Sequence, residues 1–150
     1  MKKIGTYTCR GTVTPGVEHR ISLDDGTFKT GYRIISFVVA PYDIDNTNIR
    51  TFAGKVATVG GLDEAIWNWA DQREVAWSWF GHDANASQGG QHFSQVDNDT
   101  MIVQDCYVYA DEPAGSTTGF MNYYIEFEKY EFTDWEGALA MARDKSSGGD

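Results

Sequence analysis

The sequence is short of proline, with three, and of cysteine, with two, in 150 residues. It has no apolar run approaching the ~18 residues of a membrane-spanning helix. Two cysteines do not make a disulfide scaffold. Without a CxxC or a Cys/His cluster they do not make a structural zinc site either. Cys9 and Cys106 each sit in an apolar, strand-like setting and read as buried free thiols. A disulfide between them requires the first strand to lie beside the strand that carries Cys106. Also missing are GxSxG, the Walker loop, GxGxxG and HExxH, the spacings of an acyl nucleophile, of phosphate and dinucleotide binding and of a zinc hydrolase. The opening MKKIGTYTCRG is basic but has no apolar stretch behind it, unlike a secretory signal. No catalytic residue and no cofactor is therefore expected, and the chain does not read as an enzyme.

What is present points to sheet. Aromatic residues make up 14% of the chain, and 16 glycines supply the turns that proline does not. The length suits one domain that buries roughly two-thirds of its unfolded surface. The net charge of -10 is uneven. Residues 1–33 are basic on balance, with Lys2, Lys3, Arg10, Arg20, Lys29 and Arg33 against Glu18, Asp24 and Asp25, and the rest is strongly acidic. The basic start allows contact with nucleic acid or an acidic neighbour, but spread charges of this kind also occur on ordinary solvated surfaces. The acidic remainder argues against wholesale nucleic-acid binding.

Strand-like segments follow one another along the chain. KIGTYTCRGTVT alternates, and HRISLDDGTFKTGYRIISFVVAP reads as two strands about a turn at Asp25-Gly26. YRIISFVVA is apolar on both parities, which suggests a strand covered on both faces inside a sheet. FAGKVATV, REVAWSWFGHD and MIVQDCYVYA are further strands, with ANASQGGQHFSQVDNDT a long polar loop and LDEAIWNWADQ one or two helical turns. In REVAWSWFGHD, Val75, Trp77 and Trp79 share one face. FMNYYIEFEKYEF slips phase near Glu128-Lys129, where a β-bulge would restore the alternation. The expected fold is mainly β: a single-domain β-sandwich of jelly-roll type over residues 1–132, with a C-terminal α-helix at 133–146 and a tail at 147–150. TDWE is a capping box, Trp135, Leu139 and Ala142 form an apolar stripe, and Arg143 and Lys145 suit the helix C-terminus. That helix packs on its own domain or on a neighbour.

Candidate chemistry is sparse. His82 and His92 flank the glycine-containing loop, and His19 stands apart; without ligand spacing they read as loop polar residues. Glu126 and Glu128 share a strand face, as a glycosidase pair or, more simply, a solvated face. Asp43 and Asp45, and Asp97 and Asp99, offer loop oxygens of the kind calcium takes, but Asp and Asn also make turns, and no metal is assigned. Trp67, Trp69, Trp77 and Trp79 form either an aromatic core patch or a sugar-binding platform. Trp77 and Trp79 read as core, and one of Trp67 and Trp69 as surface or interface.

The segments FKTGYRI, ADQREVAWSW, DNDTMIVQDCYVYA and NYYIEFEKYEFTDWEGALAMARDKS resemble a group of small proteins encoded by marine bacteriophages. The resemblance covers most of residues 1–147 and is weakest at 41–65 and 81–95. It implies a virion structural protein of capsid type, made in the host bacterial cytoplasm and located in the virion. Self-association into a symmetric assembly and contact with other virion proteins would follow. The expected assembly residues are Lys2, Lys3, Arg10, Trp67, Trp135, Leu139 and Met141, with nucleic-acid contact by the basic N-terminal segment. A phage spike or decoration protein, or a glycan- or receptor-binding sandwich, is the alternative.

Overall fold

The computed structural model describes residues 1–23, 26, 29–43, 50–82, 91–112, 119–132 and 139. They form β1 (Lys2–Val13), β2 (Glu18–Ser22), β3 (Thr30–Pro41), β4 (Arg50–Ala57), β5 (Glu74–His82), β6 (Gln91–Val96), β7 (Asp105–Asp111) and β8 (Met121–Glu131). The strands make two antiparallel sheets, of order β1-β8-β3 and β2-β7-β4-β5-β6. The protein is mainly β, as its aromatic, alternating segments suggest. Phe37 and Val39 of β3 and Ile125 and Phe127 of β8 share one hydrophobic cluster with Phe52 and Val56 of β4 and Val108 of β7. The core therefore lies between the sheets. They pack closely at Gly54, where a Cβ would stand 2.8 Å from Val39 Cγ1 and 3.0 Å from Met121 Cε.

Three single-residue register shifts set which side chains face that core. Lys3 and Gly5 are opposite Tyr130 and Lys129, which leaves Ile4 extra on β1. Ile34 and Ser36 are opposite Phe127 and Glu126, which leaves Ile35 extra on β3. Val56 and Ala57 are opposite Ala76 and Glu74, which leaves Val75 extra on β5. Each extra residue moves the following side chains to the other face. The bulge expected at Glu128-Lys129 is thus absent from β8, whose pairing runs unbroken there, and sits on both its partners instead. Tyr130 points outward and is buried by Val103 and Phe132 rather than by the core between the sheets. The apparent two-sided apolarity of β3 has the same origin: Tyr32, Ile34, Phe37 and Val39 are buried, whereas Ile35 and Val38 are exposed. β3 is accordingly an edge strand of its sheet, not an inner one.

β2 and β3 do not pair as a hairpin, since β2 pairs β7 in one sheet and β3 pairs β8 in the other. Gln91–Val96 is a strand, although its side chains are almost all exposed, so it has no apolar alternation to reveal it. Residues 62–72 form turns rather than helix. Asp63, Asn68 and Asp71 each accept the amide two residues on, from Ala65, Ala70 and Arg73, which competes with helical bonding. Cys9 and Cys106 are free and lie on strands of different sheets. Burial pushes the Cys106 thiol up, far from a reactive thiolate. The expected helix at 133–146, with Trp135 and Met141, lies outside the described residues, and of this segment only Leu139 is described, with an exposed side chain. No helix among the described residues is long and apolar enough to cross a membrane.

Candidate interaction surfaces

The outer face of the five-stranded sheet is built around a buried lysine. Alternation puts Lys55 of β4 outward, between Trp77 of β5 and Tyr109 of β7. Its side chain is nevertheless only 1% exposed, because residues 58–73 cross over it. The ammonium uses all three donors: to the Asp63 carbonyl at 2.7 Å, the Ile66 carbonyl at 2.7 Å and Glu74 Oε2 at 3.1 Å. It also lies 5.3 Å from the Tyr109 ring centre. The bulge at Val75 turns Glu74 outward to meet it. Glu74 Oε1 then accepts from the Asn68 amide and from Trp77 Nε1, both at 3.0 Å. Tyr109 closes the other side, donating to the Val59 carbonyl and accepting the Leu62 amide, and burial raises its phenol. Arg73 bonds Asp71 with two nitrogens and holds that carboxyl below its usual range.

This pinned segment presents aromatic rings. Trp69 is 61% exposed, and its plane is within 16° of that of Phe93 on β6. Trp67 lies 6.0 Å from the Phe93 ring, and Trp69 lies 5.7 Å from Trp77. Trp77 is buried, as expected, but under residues 58–73 on the outer face rather than between the sheets; Trp79, opposite Phe93, is only half-buried. The rings form a rigid ledge, and Phe93 is the member that the sequence did not announce.

The outer face of the three-stranded sheet has no such roof among the described residues. Its rows read across β1, β8 and β3: Thr6, Glu128 and Arg33; Thr8, Glu126 and Ser36; Arg10, Tyr124 and Val38; Thr12, Asn122 and Ala40. Glu128 lies 2.5 Å from Lys3 Nζ and 2.6 Å from Arg33, whose guanidinium also reaches the Tyr130 hydroxyl. Lys3 first and Arg33 second hold the Glu128 carboxyl down at about 2. Beyond the ion pairs, Arg10, Thr12, Val38, Ala40, Asn122 and Tyr124 line an open groove of about 470 Å³.

The described residues among those expected to take part in assembly lie on both sheets. Lys3 and Arg10 share the outer face of the three-stranded sheet, with exposed Lys2 at the start of β1, whereas Trp67 lies on the outer face of the other sheet. Among the calcium candidates, Asp43 is exposed and Asp45 lies outside the described residues. Asp97 uses both carboxylate oxygens on its own turn, accepting the Asp99 amide and the Thr100 hydroxyl. No group of three or more His, Cys, Asp or Glu among the described residues could hold a metal ion. His92 stands 3.4 Å from Ser78 Oγ, His19 lies against the Tyr123 ring, and the side chain of His82 falls outside the described residues. No protein-family model matches the chain, and no curated protein is significantly similar to it.

Proposed function

We propose that the chain is a structural protein of a bacteriophage virion, a jelly-roll β-sandwich that self-associates into the capsid shell. The observation that carries the architecture is the strand order. A jelly roll is a long antiparallel hairpin rolled up, so that strand 1 runs beside 8, 2 beside 7, 3 beside 6 and 4 beside 5. Here β1 pairs β8, β2 pairs β7 and β4 pairs β5. β6 takes its backbone bonds from β5, yet its Ser94 hydroxyl donates to the Phe37 carbonyl of β3. The phage origin rests on the sequence resemblance. In this reading the subunit needs no active site, the basic start and the helix at 133–146 contact neighbouring subunits or other virion proteins, and the protein resides in the virion. The test is the solution mass of the full chain beside a chain ending at Phe132. Large symmetric particles from the full chain, and a folded monomer from the shortened one, support the reading. A full chain that stays monomeric at every concentration rejects it.

A second reading is favoured by one observation, the ledge of Trp69 and Phe93 held by a buried lysine. Nearly parallel exposed rings suit the apolar face of a sugar, so a glycan-binding spike or decoration module is the alternative. Titration of the full chain with neutral oligosaccharides, followed by tryptophan fluorescence, tests it. Saturable change lost in Trp69→Ala supports it, and no change with any sugar rejects it.

A further inference from the structure

We propose that β1 is completed by β1 of a second copy of this chain, running antiparallel across a twofold axis, so that two three-stranded sheets join into one of six strands. The inference rests on the self-association reading and specifies its contact.

The two sheets have four edges, β1 and β3 on one and β2 and β6 on the other. An open edge is a row of unpaired amides and carbonyls that invites another strand, and proteins ordinarily blunt it. β2 is five residues long and carries Glu18, His19 and Arg20. β6 is six residues long. β3 is interrupted by its bulge at Ile35 and ends at Pro41. Its Tyr32 exchanges two backbone bonds with Ile102, at 2.8 and 2.7 Å, and its Phe37 carbonyl is taken by Ser94.

Over residues 5–13, β1 has no equivalent protection among the described residues. It runs for 12 residues and pairs β8 along its length. Among the described residues, no backbone bond joins Lys2–Val13 to anything on the other side. The devices that blunt an edge, Lys2, Lys3 and the bulge at Ile4, are confined to its beginning. Residues 5–13 contain no proline and a single charge, Arg10, and they include the β-formers Thr6, Tyr7, Thr8, Thr12 and Val13.

A second copy fits this edge. An antiparallel partner centred on Thr8 places Arg10 opposite Thr6, Tyr7 opposite Cys9 and Gly5 opposite Gly11, with Lys3, moved one place by the bulge at Ile4, opposite Thr12. No like charges meet, and threonines face the arginines. The chain's own tail is a poorer occupant. β8 ends beside Lys2, so a tail turning straight onto the free edge would run parallel to β1, and parallel pairing is the less stable kind per residue. Its sequence is also rich in alanine, glycine and serine rather than in β-formers.

The experiment compares the full chain with Tyr7→Pro and Thr8→Pro by sedimentation velocity over a concentration series, with circular dichroism and thermal melting as the check on folding. Neighbouring amides of a strand point opposite ways, so one substitution removes a bond to β8 and the other removes only an outward amide. The expected result is that the outward variant keeps its spectrum and cooperative melt while its association weakens by on the order of tenfold to a hundredfold, because each substitution acts twice across the axis. The inward variant melts lower. If both variants associate as the unsubstituted chain does, the inference is overturned, and any large particles leave the shell reading standing. Association lost on removing the residues after Phe132, yet indifferent to both prolines, also overturns it. Dimers that depend on β1 but never grow into particles support the inference and reject the shell.

Discussion

The two sheets differ most on the faces they turn away from each other. The five-stranded sheet roofs itself: residues 58–73 fold over Trp77 and Tyr109, and a lysine gives up water to hold them there. Among the described residues, the three-stranded sheet leaves its outer face with threonines, an ion-pair cluster and a groove, and leaves its first strand unpaired on one side. Burying an ammonium is costly and is sustained only where every donor finds a partner. One sheet is thus covered by a costly device of the chain's own, while the other, among the described residues, keeps an open edge, the one proposed above to be completed by a second copy.

The largest expected effect tests the closed side. Lys55→Ala leaves Glu74 buried without its cation and should cost about 3–5 kcal/mol of stability, read by denaturant unfolding, with tryptophan fluorescence shifting to the red as the roof loosens. Lys55→Met with Glu74→Gln removes both charges and should recover much of that loss. Next come the glycines. Gly54→Ala would push a methyl into Val39 and Met121 of the facing sheet, and a loss of roughly 1–3 kcal/mol is expected. Gly5→Ala, with nothing within 4 Å of the added carbon, should change stability little.

Acid titration probes the open side. Glu128 is held at about 2, below its ordinary 4.5, by Lys3 and Arg33. A depressed carboxylate contributes stability above its unfolded value and loses it as the pH falls through the folded one. The cluster's contribution should therefore be intact above about 4.5 and fade between 4.5 and 2. Glu128→Gln should remove that part of the acid dependence and leave the melting temperature less sensitive to pH in the window. A small effect is also expected from Trp69→Ala, an exposed ring whose loss should alter stability by no more than about 0.5 kcal/mol. A larger loss there would show that the ledge is part of the roof rather than a surface carried by it.

Much of the strand content was legible because apolar alternation has a period of two wherever one face is buried. What could not be read was phase. Ile35 and Val75 look like regular members of their strands, and only the partner strand reveals that each is an extra residue. Missing the second of these hid the roof, since it is the shift at Val75 that brings Glu74 round to Lys55. Lys55 itself left a signal, a lone charge inside the apolar run FAGKVATV, which a strand could hold only on a solvated face or against a buried acid. β6 was illegible for the opposite reason: an exposed edge strand carries no apolar pattern. The turns of 62–72 were masked by composition, because Asp63, Asn68 and Asp71 can start a helix or cap their own turns equally well, and here they do the latter.

The most direct test of the contrast between a closed and an open side is amide hydrogen exchange of the full chain at low and high protein concentration. Exchange of residues 5–13 is expected to slow as concentration rises, while β4, β5 and residues 58–73 keep the same protection throughout. Protection that is already complete in β1 at the lowest concentration, or that rises instead over Trp67, Trp69 and Phe93, would contradict that expectation.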